Sequence, residues 1–509
     1  MLWNERRRMP QADYPVLVGF GQTTQRCDDP SLALEPIALA AQASRRAEVD
    51  AGAAVLRHVD SVRVVNVISW DYGDAPGALA AALGLEPKSR VYTTMGGNSP
   101  QYLINATADE IASGAVRVAL LAGVEAMYTQ RQARARKLKL GWRPAAGTPE
   151  RTIGDPRWGS QEEEQRHGAA MPIQIYPLFE NALRAANGWT LDEHRVRLGR
   201  QCARFSEIAA QNPYSWFRER KSADEIATVT RENRMIGFPY TKYMNSILDV
   251  DQAAAVLMTS TATARELGIP EDRWVYLHGG ADAHDHWFIL ERDDFTSSPA
   301  IRHAGAAALE QAQCTIDDVS LLDLYSCFPC APRIARDMLG IAAEDPRDLT
   351  TTGSLMYFGG PGSNHPLHAV ATMADRLRAD PRARGLVSGL GWYVTKHSIG
   401  VYSATAPRGP WKRRDPAALQ QAIDGEAHPA TAFEPSGPST LETYTVLHDR
   451  EGAPALGIVI GRLDDGRRFI ANTPRDRALL EDMERREPIG VRGRVEHRAA
   501  PDPNLWQPG

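Results

Sequence analysis

Apolar residues recur along most of the chain in two periods, one for strands and one for helices. Residues 16–21, Val-Leu-Val-Gly-Phe-Gly, form a short apolar run ending in a glycine turn, which predicts a buried strand. An alanine-rich helical stretch follows, then strands over 62–68 and 89–94. Tyr102, Leu103, Ala106, Ala108 and Ile111 fall at roughly helical spacing and predict a helix over 100–113. Pro100 suits its first turn, where a missing N–H is no loss. Residues 116–123 are a continuous apolar strand of the parallel-sheet type. The order β-α-β-α-β points to an open α/β sheet.

Between about 130 and 240 this pattern breaks. A basic run (Arg131, Arg134, Arg136, Lys137, Lys139), an acidic run (Glu162, Glu163, Glu164) and helical segments predict a helical, loop-rich insertion. Strand-like runs return at 249–258 and 273–278. A second series then repeats the first in order and length: helix 299–313, strand 319–325, helices 332–339 and 368–378, and strands from 385 to 402. It reads as a duplicated α/β unit. Beyond 410 comes a linker rich in Pro, Ala and charge, then four short strands at 443–448, 455–461, 468–472 and 491–496. Turn signals such as Asp464-Asp-Gly466 separate them, which predicts a small all-β barrel.

Composition narrows the class. At 509 residues with 43% hydrophobic and 24% charged residues, the chain is an ordinary globular one, long enough to bury a large core. A net charge of −5 gives no support for a nucleic-acid partner. Five scattered cysteines argue against a disulfide framework and suit a reducing, cytoplasmic setting. The basic N-terminus lacks the apolar stretch of a signal peptide, and no run is long enough to span a membrane.

Generic catalytic motifs are absent. There is no P-loop, His-Glu-x-x-His or Gly-x-Ser-x-Gly, and Gly19-Phe-Gly21 lacks the rest of a nicotinamide or flavin fingerprint. His278, His284, Asp285 and His286 have no second ligand pair at metal spacing, so a solvated loop is expected and no metal. Cys327-Phe-Pro-Cys330 reads as small buried thiols rather than a redox pair. Three segments carry more. Residues 94–101, Thr-Met-Gly-Gly-Asn-Ser-Pro-Gln, form a glycine turn before a helix, where backbone N–H groups favour an anion or polar group. Residues 323–328, Asp-Leu-Tyr-Ser-Cys-Phe, end a strand in polar and aromatic groups. Residues 358–368, Phe-Gly-Gly-Pro-Gly-Ser-Asn-His-Pro-Leu-His, deliver His365 to a helix start.

In their order these segments resemble the thiolase superfamily, especially the sterol-carrier-protein type. The loop at 359–366 is similar to the family's Gly-His-Pro histidine loop, and 323–328 to its His-Asp-Cys-Phe motif. Ala209-Ala-Gln-Asn-Pro213 and Asp251-Gln-Ala-Ala-Ala255 match further landmarks over residues 14–405. The resemblance implies a duplicated five-layer α-β-α-β-α fold with a loop domain and an added C-terminal barrel. Its divisions are an N-terminal half (1–129 and 241–284), a loop domain (130–240), a C-terminal half (285–410), and a linker with an oligonucleotide-binding-type barrel (411–509). It also implies coenzyme A or an acyl-CoA as ligand, and a monomer or homodimer. Arg134, Arg136 and Lys137 would face the ligand's phosphates, unless they are merely solvated, and Gly359 and Gly360 would line its loop.

Both family cysteines are missing. The turn that would carry the nucleophile reads Gly96-Gly-Asn-Ser99, and the second site reads Val394-Thr-Lys-His-Ser-Ile-Gly400. Ser99 is a nucleophile or a cap or turn residue, and His397 an acid/base group or a hydrogen-bonded strand-end residue. Tyr325 stands where the motif's histidine or asparagine would, and its O–H can donate to a thioester oxygen. Tyr357 is a weaker second tyrosine. Three readings remain open: an acyl-CoA enzyme using Asn98, Ser99, Tyr325, His365 and His397 without covalent catalysis; a retro-aldol lyase; and an inactive acyl-CoA binder.

Overall fold

The computed structural model describes residues 13–509, so most of the basic N-terminal segment read for a leader lies outside the described residues. The first half runs β1 (Pro15–Thr24), α1 (Pro36–Ala51), β2 (Ser61–Val64), α2 (Ala75–Leu83), β3 (Ser89–Thr93), α3 (Ser99–Ala112) and β4 (Val118–Ala126). Helix α4 (Met127–Ala135) opens the insertion. There the sequence suggested helices and loops alone, but β5 (Arg151–Ile153) pairs parallel to β3 and extends the body sheet. Four helices, α5 (Glu162–Arg166), α6 (Pro172–Ala186), α7 (Leu191–Gln211) and α8 (Ala223–Ala227), precede the small strands β6 (Met235–Gly237) and β7 (Tyr240–Thr241).

The chain then returns to the sheet with β8 (Asp251–Ser260), α9 (Thr261–Glu266) and β9 (Val275–His284). The second series is α10 (Pro299–Gln311), β10 (Leu321–Asp323), α11 (Cys330–Met338), α12 (His365–Ala379), β11 (Arg384–Gly391) and β12 (Lys396–Ser403). The strand order is β10-β11-β12-β9-β1-β8-β4-β2-β3-β5, the two halves meeting at the short β1–β9 pairing. Each half has parallel strands followed by two antiparallel ones; the second lacks a counterpart of β3. Strand β4 is therefore parallel to β2 but antiparallel to β8.

Helices α3 and α12 each touch strands of both halves, while α1 with α2 and α10 with α11 cover the outer faces. Five layers result, each apolar face buried against the next. The 62–68 run is shorter than its pattern suggested. Strand β2 stops at Val64, and the Ile68 and Ser69 amides donate to the Glu125 carboxylate (2.8 and 2.7 Å) instead of to a strand. The histidine cluster is also not a solvated loop. His278 and His284 lie on β9, and Asp285 is buried.

After α13 (Pro416–Asp424) the barrel comprises β13 (Gly437–His448), β14 (Pro454–Leu463), β15 (Arg468–Asn472), α14 (Arg477–Met483), β16 (Arg492–Glu496) and a fifth strand, β17 (Leu505–Pro508). It closes in the order β13-β14-β15-β17-β16-β13 around Tyr444, Phe469, Val495 and Trp506. Full closure removes exposed strand edges. Strand β17, short and carrying a proline, shows too little alternation to be read from sequence. Among the described residues no helix is long and apolar enough to cross a membrane.

Arg468 fastens the barrel to the body. Its side chain is fully buried, its Nε donates to Glu442 Oε2 (2.7 Å), and its terminal nitrogens donate to the carbonyls of Arg292 and Asp293. Replacing it by methionine leaves Glu442 and two carbonyls short of a donor. The Arg468→Met protein should lose about 3 kcal/mol in chemical denaturation; a loss under about 1 kcal/mol would mean that packing alone docks the barrel.

Candidate functional site

The two glycine-rich loops singled out in the sequence meet in space. The Gly96 amide donates to Ser363 Oγ (3.0 Å), tying the turn before α3 to the loop before α12. Strand β11 lies against the same turn, where a β-carbon on Gly389 would fall 2.8 Å from Asn98 Cα. A β-carbon on Gly97 would collide with the Tyr325 hydroxyl and the Leu390 carbonyl. Only glycine permits such an approach. The turn that could have carried a thiol therefore has its space occupied by a phenol.

Tyr325 follows β10 and is buried, its backbone N–H donating to Ser388 Oγ (3.0 Å). Its ring meets His365 edge to face, with centroids 5.9 Å apart. Burial, reinforced by Cys327, pushes the Tyr325 pKa well above that of a free phenol, so the hydroxyl stays protonated.

His365 opens α12. Its Nδ1 lies 3.2 Å from the Gly359 carbonyl and its Nε2 3.3 Å from Thr352 Oγ1. A carbonyl only accepts, so the hydrogen-bond network assigns the neutral ring's proton to Nδ1. Burial lowers the ring's pKa below 6.5, against the field of Asp323 and the Gly359 contact. Asp323 holds the loop that carries Thr352: its Oδ2 accepts from the Thr351 and Thr352 amides (2.8 and 3.0 Å) and from both hydroxyls. A π-helical turn, Ser354–Phe358, then leads into Gly359. Gln252, from the second landmark, donates to the Phe358 carbonyl (3.0 Å). Gly360 donates to the Ile247 carbonyl (2.8 Å).

The other candidates separate from this pair. Ser99 Oγ donates to the Thr94 carbonyl (2.8 Å), a turn contact. The His397 ring lies 3.4 Å from both Asp285 Oδ2 and Ser298 Oγ and shares no partner with His365. Tyr357 donates to the Tyr243 carbonyl (3.0 Å). Asn98 lines a cavity of about 510 Å³ beside α3, along with Ser99, Trp287 and Lys396. Arg134, Arg136 and Lys137 are exposed at the end of α4 and form no ion pair among the described residues. Cys327 and Cys330 are buried thiols; burial pushes Cys327 up to about 12, opposite to the shift of a redox pair.

Sequence reasoning passed over Lys396, Thr352 and Glu125. Each carried a faint signal, a polar residue inside an apolar or small-residue run. Glu125 is fully buried and pushed up to about 7 by desolvation, and Gly362 of the histidine loop passes directly over it.

A family model described as the thiolase-like protein type 1 additional C-terminal domain matches residues 418–499, and one described as thiolase C-terminal domain-like matches 281–359. No curated protein matches the chain. Among solved structures, the crystal structure of a monomeric SCP2-thiolase like protein type 1 (STLP1) from Mycobacterium smegmatis is 35% identical, over 97% of this chain and 99% of that one, with a TM-score of 0.84. The Ltp2-ChsH2(DUF35) aldolase (18% identity, 78% of this chain and 98% of that one, TM-score 0.58) shares the fold. So does acetyl-CoA acetyltransferase from Syntrophomonas wolfei (19%, 78% and 100%, 0.52).

The buried His365 ring binds its proton less readily than it would in the unfolded chain. Protonation therefore opposes folding: this contribution to stability is whole above about pH 6.5 and declines as the pH falls below it. In a nitrogen-15 NMR titration His365 should keep the signature of a neutral Nδ1–H ring at about pH 6.5, with its midpoint lower. A midpoint at or above about 6.5 would contradict the assignment.

Proposed function

The chain belongs to the SCP2-thiolase-like proteins of type 1, and from that premise we propose that it binds an acyl-CoA thioester and acts on it without forming an acyl-enzyme. The observation that carries this reading is the Tyr325 hydroxyl against Gly97, edge to face with His365. It leaves no room for a thiol on the turn, and it brings a proton donor together with an uncharged imidazole.

The reaction this pair suits best is retro-aldol cleavage of a β-hydroxyacyl thioester. His365 takes the β-hydroxyl proton and the Cα–Cβ bond breaks. An aldehyde or ketone leaves, and the electron pair stays on the thioester as an enolate. The Tyr325 hydroxyl gives its proton to that enolate, releasing the shortened acyl-CoA, and the His365 imidazolium returns the β-hydroxyl proton to the phenolate, restoring both groups. The positive end of α3 favours the charge developing on the thioester oxygen. Exposed Arg134, Arg136 and Lys137 support contacts to coenzyme A phosphates, with Gly359 and Gly360 shaping the loop beside the ligand. Five free thiols fit a cytoplasmic setting, and the monomeric relative supports a monomer. The burial of both rings, His365 at 1% and Tyr325 at 7% exposure, favours a second reading, binding without turnover.

Calorimetry with coenzyme A and a series of acyl-CoAs should detect binding; none with any of them would sink both readings. Release of an aldehyde or ketone from a β-hydroxyacyl-CoA should fall at least about 100-fold in Tyr325→Phe and in His365→Ala, with binding retained. Release undiminished in both variants would remove the pair from the chemistry. Binding with no release in the unaltered protein would select the second reading.

A further inference from the structure

Lys396 occupies an unusual place. The chain has 58 lysines and arginines, of which seven are lysines, and Lys396 is the buried one among the described residues. It begins β12 and points at the turn before α3, where its Nζ donates to the Met95 carbonyl (2.6 Å) and lies 3.4 Å from the Asp155 carbonyl. The Trp287 and Trp392 rings flank it at 5.9 and 5.7 Å. No carboxylate pairs with it among the described residues. A chain that uses arginine for 51 of its 58 lysine and arginine positions carries here a side chain that, unlike arginine, can lose its proton.

The surroundings point to a ligand. The ammonium lines the 510 Å³ cavity, a volume typical of small-molecule sites. Asn98, 8% exposed, lines it too, and its buried Oδ1 has no hydrogen-bond partner. The two groups stand side by side: a β-carbon on Gly96 would fall 2.6 Å from Asn98 Oδ1 and 2.8 Å from Lys396 Nζ. Two carboxylates on the wall, Asp155 and Asp282, are already paired with Arg157 and Arg413. With both carboxylates paired, Trp287, Pro156, Ala283 and Pro416 on the walls, and Lys396 reacting as its uncharged amine, the cavity suits an uncharged guest.

We propose that this cavity is a carbonyl site, in which Lys396 forms an imine with a small uncharged aldehyde or ketone and Asn98 Oδ1 accepts a hydrogen bond from the hydroxyl of the carbinolamine. The amine lone pair attacks the carbonyl carbon to give a carbinolamine. A proton passes from nitrogen to oxygen, water leaves, and a C=N bond remains, with no change of oxidation state. Burial lowers the Lys396 pKa from 10.5 to about 8, which raises its free-amine fraction at neutral pH by more than about 100-fold over an exposed lysine. The site needs neither coenzyme A nor the Tyr325–His365 pair.

Borohydride trapping of the full chain with acetaldehyde, acetone or cyclohexanone, without coenzyme A, tests this by peptide mapping. The adduct should form on Lys396 at least about 10-fold more than on any other lysine. Lys396→Arg should abolish it, and Asn98→Ala, which keeps the amine, should slow it about 5-fold. Label confined to the other lysines with all three probes would overturn the proposal. So would trapping undiminished in Lys396→Arg.

Discussion

The approach of the Tyr325 hydroxyl to the backbone of Gly97 is the constraint around which the site is arranged. It demands glycine at 97, and the same close packing demands glycine at 96, 389 and 391, where β11 and Lys396 crowd the turn. It also depends on the loop that carries His365. That loop is tied to the turn through Ser363 and Gly96, and its neighbour carrying Thr352 is pinned by Asp323. The positive end of a central helix favours negative charge placed against it. Here the groups gathered at that end are a phenol and an imidazole.

The turn before α3 divides two chemistries. On one side lie a hydroxyl held protonated and a ring held neutral, both by burial, so neither side chain buries a charge. On the other side lies an ammonium without a counter-ion, beside an amide without a partner. Buried groups left short of partners are costly. The cost falls when something enters the cavity, and this gives the lysine side a physical reason to bind.

Long periodic elements were legible in the sequence because their apolar faces are continuous: β1, α3, β4, β8 and most of the duplicated series follow their patterns, whereas the strand expected over 319–325 is only β10, Leu321–Asp323. The missing family thiols were legible too, since the landmarks around them fix their place. What escaped were features whose cause lies far away in the chain. Strand β2 ends where Glu125 captures two amides, β5 is a strand only because β3 offers an edge, and β17 exists because the barrel must close. His397 and Lys396 are adjacent at the start of β12, and both border the cavity beside α3. The histidine looked like the chemical residue of the pair, yet it is engaged with Asp285 and Ser298, while the lysine took the place at the helix end.

The most direct measurement is a crystal structure of the protein with a non-hydrolysable acyl-CoA thioester analogue bound. The thioester oxygen should lie within hydrogen-bonding distance of the Tyr325 hydroxyl at the first turn of α3, with His365 on the β-carbon side. An acyl chain placed elsewhere, with Tyr325 still closed over Gly97, would contradict the account.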